Sequence, residues 1–220
     1  SGGKIKGVRK EKIKLLGIPL RDSLLTKKDI SKDISRDING KLTILIMGGS
    51  QGARCINEAL LESLKYLKAY QKQIRFIHLT GKEVESFQKA YKKNGFEAEI
   101  HGFYPHMAEL YNKSDVIICR SGGSTIAEIS AIGLPSVLIP FARAAENHQM
   151  ANAHSMQENN ASIVLKENEL SGQKIANIIE NFAKNPKDLI KMAKQTKDLG
   201  KPKAAIDIAR DILKIYKANI

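Results

Sequence analysis

From residue 41 onward, apolar positions recur in two alternating rhythms. Residues 42–47 form a short β-branched run ending in Gly48-Gly49, the pattern of a buried strand running into a tight turn. Residues 53–69 then place Ile56, Leu60, Leu64 and Leu67 at helical spacing. The alternation repeats. Strands are predicted at 74–79, 97–103, 115–119, 135–139 and 162–165, and helices at 84–93, 107–112, 125–132 and 147–158. Gly133 closes the third of these helices, as expected of a left-handed cap. Three further helical stretches, 169–184, 186–197 and 203–217, complete the pattern. Strand and helix in strict alternation predict an α/β fold, a Rossmann-like doubly wound parallel sheet. Such a sheet binds ligands at the carboxyl ends of its strands, beside the point where strand order reverses. The loops after the first, fourth and fifth strands are therefore where chemistry is expected.

Residues 1–40 read differently. A basic stretch over 4–14, the turn signal Gly17-Ile18-Pro19 and an alternating-charge stretch over 26–39 suggest an interdomain connector. The organisation expected is a connector over 1–40 and a ligand-binding domain over 41–220, with a further domain upstream.

The expected loops hold unusual residues. Gly48-Gly49-Ser50-Gln51-Gly52-Ala53 puts small residues between a strand and a helix start, where backbone N–H groups can meet an anion. It is neither a P-loop nor a GxGxxG fingerprint, which disfavours a dehydrogenase, and by itself it fits phosphate binding or a plain tight turn. The fourth loop is Arg120-Ser121-Gly122-Gly123-Ser124-Thr125-Ile126-Ala127-Glu128. Arg120 stands where a guanidinium can reach a phosphate. Thr125 and Glu128 share a helix face, so Glu128 could accept from a ribose diol; the same spacing is also a capping box. In the fifth loop, Pro140-Phe141 leads to His148 and Gln149 in the first turn of a helix, read either as surface or as ligand contacts.

Composition narrows the classes. The chain has 220 residues, no tryptophan and only 5% aromatics, so stacking platforms for single-stranded nucleic acid are not expected. A net charge of +13 suits a solvated basic surface first and attraction to an anionic membrane next, worth about 1 kcal/mol per basic residue near lipid. Cys55 and Cys119 lie outside any CxxC and read as buried thiols. No histidine pair has metal-ligand spacing and there is no GxSxG elbow, so neither a metal site nor a serine hydrolase is expected. No apolar run approaches the ~20 residues of a membrane span, and 1–14 lacks an apolar core segment, so a cytosolic or inner-face peripheral location is expected.

Taken in order, Gly17-Ile18-Pro19-Leu20-Arg21, Gly48 to Ala53, Gly102-Phe103-Tyr104 with Met107, Cys119 to Gly122, Thr125-x-x-Glu128, Gly133-Leu134-Pro135 and Pro140-Phe141 through His148-Gln149 to Asn152-Ala153 resemble the C-terminal, donor-binding domain of the MurG family. That family comprises the UDP-N-acetylglucosamine transferases of peptidoglycan synthesis. The resemblance runs from about Gly17 to the C-terminus. It implies the C-terminal half of a GT-B glycosyltransferase that moves GlcNAc from UDP-GlcNAc to a lipid-linked muramoyl-pentapeptide, without a cofactor or metal. It also implies roles. Arg21 and Ser50 would hold the diphosphate, and Tyr104 would lie beside the uracil. Arg120 would lie near the nucleotide, while Gly123, Ser124 and Thr125 would present a helix N-terminus to the phosphates. Glu128 would bind the ribose, and His148 and Gln149 the sugar hydroxyls. The general base and the lipid acceptor site would belong to an N-terminal domain, with peripheral attachment to the cytoplasmic face of the membrane. The last helix would pack across the interdomain cleft. One departure stands out: the family usually reads Gly-Asn-Pro-Val-Arg where this chain has Ile18 and Leu20. Three rival readings share these loops: a lipid glycosyltransferase using another UDP-sugar, the donor subunit of a split transferase, and a non-catalytic nucleotide-binding module.

Overall fold

The computed structural model describes residues 13–25, 40–48, 53–142 and 147–217. Six strands form one sheet: β1 (Leu42–Met47), β2 (Ile74–Leu79), β3 (Glu97–His101), β4 (Val116–Cys119), β5 (Ser136–Leu138) and β6 (Ser162–Val164). All pairings are parallel, in the order β3-β2-β1-β4-β5-β6. The expected Rossmann-like sheet is therefore present. Strand order reverses between β1 and β4, so the switch-point crevice is expected at the carboxyl ends of these two strands.

The helices are α1 (Asp22–Leu25), α2 (Arg54–Ser63), α3 (Val84–Lys93), α4 (Met107–Lys113), α5 (Gly123–Ile132), α6 (His148–Glu158), α7 (Gly172–Lys184), α8 (Pro186–Asp198) and α9 (Ala204–Lys217). Because side chains alternate across a strand, β1 feeds two cores. Ile44 and Ile46 pack with Ile56, Leu60, Phe87 and Ile179 from α2, α3 and α7. Leu45 packs on the other face with Leu110, Tyr111, Ile129 and Met156 from α4, α5 and α6. Central strands covered on both faces need continuous apolar runs, which is why β1 and β4 show them.

Some boundaries differ from the pattern. The helix expected over 53–69 ends at Ser63, whose hydroxyl donates back to Leu60 O at 2.6 Å; a 3₁₀ turn, Lys68–Tyr70, follows. Leu64 and Leu67 are fully buried even so, because the turn keeps them facing the core. The helix expected from residue 169 starts at Gly172, where Ser171 caps it by accepting from Lys174 N at 3.3 Å.

The described part of the 1–40 stretch lies on this domain. Leu24 is buried in the α4–α5 core. Gly17 has φ +96°, and a Cβ there would come within 2.7 Å of Lys201 Cβ, so only glycine lets the chain pass the α8–α9 corner. Lys14 pairs with Asp211 of α9. Beyond that corner α9 stands off the body. Ala204 is its one buried residue, whereas Ile206, Ile212, Leu213, Ile215 and Tyr216 are exposed. Among the described residues no helix is long and apolar enough to cross a membrane.

Candidate functional site

The α5 N-terminus sits at the switch point, after β4. Its N-cap is Gly122 and its first residue Gly123, so the helix starts two residues earlier than the sequence pattern suggests. Thr125 is therefore the third residue inside the helix. The capping-box reading of Thr125-x-x-Glu128 is overturned, since neither residue occupies a cap position. The first main-chain donor of this end to find a helical acceptor is Ile126 N, to Gly122 O at 2.9 Å. The N–H groups of Gly123, Ser124 and Thr125 precede it, and a glycine cap offers them no side-chain oxygen. A Cβ on Gly122 would meet only Thr125 Oγ1 at 3.9 Å, and one on Gly123 only Ile18 Cδ1 at 3.6 Å. Packing does not demand either glycine. Their effect is to leave the positive end of a helix without a side-chain cap among the described residues, which suits an anion.

A cleft of about 540 Å³, lined by Arg21, Leu24, Phe103, Tyr104 and Met107 among others, meets the same helix at Glu128, beyond its first turn. Three residues expected to share a site, far apart in sequence, thus line one hollow. Glu128 is held by the Tyr111 hydroxyl, which donates to its Oε2 at 2.7 Å. Tyr111 is buried, and burial together with the neighbouring Glu128 carboxylate pushes its phenol well above the ordinary value, so it stays a donor. One carboxylate oxygen of Glu128 is thereby fixed, with the other left to accept from a ligand. The Tyr104 hydroxyl donates to Glu109 at 2.7 Å, and its ring packs 4.7 Å from that of His101. Phe103 is 82% exposed at the rim.

Arg120 follows β4 directly, and both terminal nitrogens of its guanidinium find partners within the domain. Nη2 donates to Glu167 Oε1 at 2.7 Å and Nη1 to Ile139 O at 3.1 Å, while the group lies 5.2 Å over the Phe141 ring. Glu167 also accepts from the Cys55 thiol at 3.0 Å and from Ala142 N at 3.1 Å. Burial alone would push this carboxyl up. The hydrogen bonds from Arg120, Cys55 and Ala142 outweigh it and hold the carboxyl down at about 2. Cys119 is buried as expected, while Cys55 is half-buried in this node.

The fifth loop is tied down from α6. Gln149 Oε1 accepts from Phe141 N at 2.9 Å, and its main-chain O accepts from Ser121 Oγ at 2.8 Å. Asn152 Nδ2 donates to Ser121 O at 3.0 Å. Gln149 therefore keeps its amide nitrogen as the end that can donate to a ligand. His148 is exposed at the first position of α6, after Asn147 in the left-handed region at φ 55°. Ser50 lies outside the described residues. Pattern reasoning missed Tyr111 and Glu167. Each acts through a contact between distant segments, 17 residues apart for Tyr111–Glu128 and 47 for Arg120–Glu167, which no local motif encodes.

The model of the glycosyltransferase family 28 C-terminal domain matches residues 43–208, three quarters of the chain. The chain belongs to this family. Two relatives carry the name UDP-N-acetylglucosamine--N-acetylmuramyl-(pentapeptide) pyrophosphoryl-undecaprenol N-acetylglucosamine transferase. That of Desulforamulus reducens is 35% identical over 214 residues, covering 94% of this chain and 57% of its own length. That of Thermodesulfovibrio yellowstonii is 37% identical over 210 residues, covering 93% and 57%. The crystal structure of Acinetobacter baumannii MurG superposes with a TM-score of 0.75 at 27% identity, over 87% of this chain and 55% of that one. The chain thus spans about half the length of the relatives it matches. The expected C-terminal half of a GT-B glycosyltransferase is borne out at the level of family and fold.

Proposed function

We infer that this chain is the donor-binding half of a hexosyltransferase that moves GlcNAc from UDP-GlcNAc to a lipid-linked muramoyl-pentapeptide, the lipid I to lipid II step of peptidoglycan synthesis. The observation that carries the reading is the α5 N-terminus without a side-chain cap at the switch point, on the helix whose Glu128 lines a cleft with Arg21 and Tyr104. The similarity of nearly the whole chain to relatives bearing that name supports it.

On this reading the uridine lies in the Tyr104 cleft and its ribose diol donates to the Glu128 oxygen that Tyr111 leaves available. The diphosphate meets the N–H groups of Gly123, Ser124 and Thr125, with Arg21 and Ser50 alongside. Negative charge grows on that diphosphate as the glycosidic bond breaks. A fixed helix end stabilises growing charge without reorganising. Gln149 and His148, on α6, face the sugar. Arg120 supports the site by holding the loops rather than by touching phosphate, since its charge is balanced by Glu167. The acceptor, and the base that deprotonates its hydroxyl, belong to an upstream half joined through residues 1–40. The exposed apolar residues of α9 suit coverage by that half, because an uncovered 14-residue helix is marginal in water. A net charge of +13 supports peripheral attachment to the anionic cytoplasmic face of a bacterial membrane, and with it a role in cell-wall growth and division.

Calorimetric titration of the chain with UDP-GlcNAc, UDP, UDP-glucose and ADP tests this. Uridine ligands should bind and ADP should not, with UDP-GlcNAc ahead of UDP-glucose. Glu128→Ala should weaken UDP binding by roughly 10- to 100-fold, the worth of a charged hydrogen-bond acceptor. Equal affinity for UDP-glucose would favour a different lipid glycosyltransferase. Absence of uridine binding by the folded chain would overturn the donor site as described.

A further inference from the structure

Glu167 lies in a single 3₁₀ turn, Glu167–Glu169, just after β6, and no motif includes it. Its two carboxylate oxygens receive donors from three different loops. Oε1 takes Arg120 Nη2 from the end of β4 and the Cys55 thiol from the first turn of α2, and Oε2 takes the N–H of Ala142 just after β5. Cys55 follows the Gly48–Ala53 loop, Arg120 opens the loop that becomes the α5 N-terminus, and Ala142 opens the loop that leads to His148 and Gln149. On the donor reading above, Ser50, the α5 N-terminus and the His148–Gln149 pair are close in sequence to these three points. The Arg120 and Cys55 contacts are part-buried, with the Arg120 and Glu167 side chains 11% and 23% exposed, whereas the Ala142 contact lies at the surface. Arg120 extends the tie to Ile139 O and stacks on Phe141, whose N–H holds Gln149.

We propose that Glu167 is the positioning residue of the donor site, a single carboxylate that holds the first turn of α2, the end of β4 and the residues just after β5 at one mutual spacing. The proposal rests on the donor-binding reading above. A site that must meet phosphate, ribose and sugar together needs its loops held within a fraction of an ångström, and a shared anion at their roots does this without entering the site. Removing its charge leaves the Arg120 guanidinium sheltered without a counter-ion and the Ala142 N–H without its acceptor, so the three loops lose their common anchor.

Glu167→Gln keeps the shape and removes the charge, and Glu167→Asp keeps the charge. Two readouts on the 220-residue chain test the idea, at a temperature where circular dichroism shows every variant folded. UDP affinity by calorimetry should fall about tenfold in Glu167→Gln and recover most of that loss in Glu167→Asp. The alkylation rate of Cys55, the less buried of the two thiols, should rise about fivefold in Glu167→Gln, because the thiol loses an anionic acceptor and keeps Arg120 beside it. Folded Glu167→Gln that binds UDP as tightly as the parent chain overturns the proposal and leaves the donor site standing. A parent chain that binds no UDP overturns the donor reading and this proposal with it. An unchanged Cys55 rate shows that the clamp does not hold that loop, and overturns the three-loop form of the proposal.

Discussion

His78 ties the stability of this domain to pH, and the tie can be worked from its neighbours. The residue is in β2, fully buried, with its ring edge-on to Phe87 at 4.9 Å between centroids. Asn57 Nδ2 donates to Thr80 O at 3.3 Å, which leaves Asn57 Oδ1 facing His78 Nε2 at 3.1 Å. Nε2 must therefore carry the proton, and Nδ1 accepts from the Tyr91 hydroxyl at 3.1 Å. Both ring nitrogens are satisfied in the neutral form. A second proton would turn Nδ1 into a donor, force the Tyr91 hydroxyl to face away, and place a charge in a dry site. Burial accordingly holds the imidazole at about 3, down from the ordinary 6.5. The unfolded chain takes up this proton first, so it binds more protons than the native state below pH 6.5. Stability is complete above 6.5 and falls as pH drops towards 3, by roughly 1.4 kcal/mol per unit. At a pH of about 4.5 the loss reaches roughly 2.7 kcal/mol, or about 5–10 °C in Tm for a domain of this size. Urea unfolding of the parent chain and of His78→Gln at a series of pH values measures it. Glutamine can donate to Asn57 and accept from Tyr91 without titrating, so its stability should change far less over this range. A parent chain equally stable at both ends of the range, or a variant with the same slope, would refute the reasoning. Glu167 acts in a lower window: its folded carboxyl sits at about 2, so its contribution is lost as pH falls from 4.5 towards that value.

Two further expectations concern packing. The hydroxyls of Ser136 and Ser162 are buried side by side in the β5–β6 register without hydrogen-bond partners among the described residues, so Ser136→Ala should be neutral or stabilising by up to about 1 kcal/mol in thermal unfolding. A marked loss would show that the hydroxyl has a partner such as ordered water. Gly200→Ala should destabilise by about 1–3 kcal/mol, because its Cβ would approach Ser130 O to 2.5 Å and push α5 from the α8–α9 corner. An unchanged unfolding midpoint would mean that this corner is looser than the packing indicates.

The sheet was legible in the sequence because its signal is local. Ile44, Leu45 and Ile46 face two different cores and must all be apolar, and a continuous β-branched run between turn residues says so. Helix ends were less legible because they depend on competing hydrogen bonds. Nothing in the spacing of Ile56, Leu60, Leu64 and Leu67 reveals that the Ser63 hydroxyl turns back on Leu60, and Thr125-x-x-Glu128 satisfies a cap pattern that Gly122 had already taken over.

The site divides along the same line. The residues proposed to meet a ligand sit on turns whose composition is unusual for a fold, such as the paired glycines at 122–123 that neither dihedral angles nor packing require, and those turns can be read directly. Residues that hold the turns sit wherever the chain happens to pass. Glu167 reaches Arg120 across 47 positions and Tyr70 reaches Glu180 across 110, and neither pair differs in sequence from ordinary surface charge. What separates the two glutamates is shelter and the number of elements joined. Glu180 accepts from one exposed lysine and one tyrosine, whereas Glu167 collects three donors from three loops beside a largely buried guanidinium. An exposed pair is worth little, but an anion sheltered among the roots of several loops cannot be removed without moving them. The arginine expected at the nucleotide from its place at a strand end is thus better understood through its partner. Arg120 stands at the expected strand, and the carboxylate that engages it makes it a strut between the ends of β4 and β5 and the turn after β6.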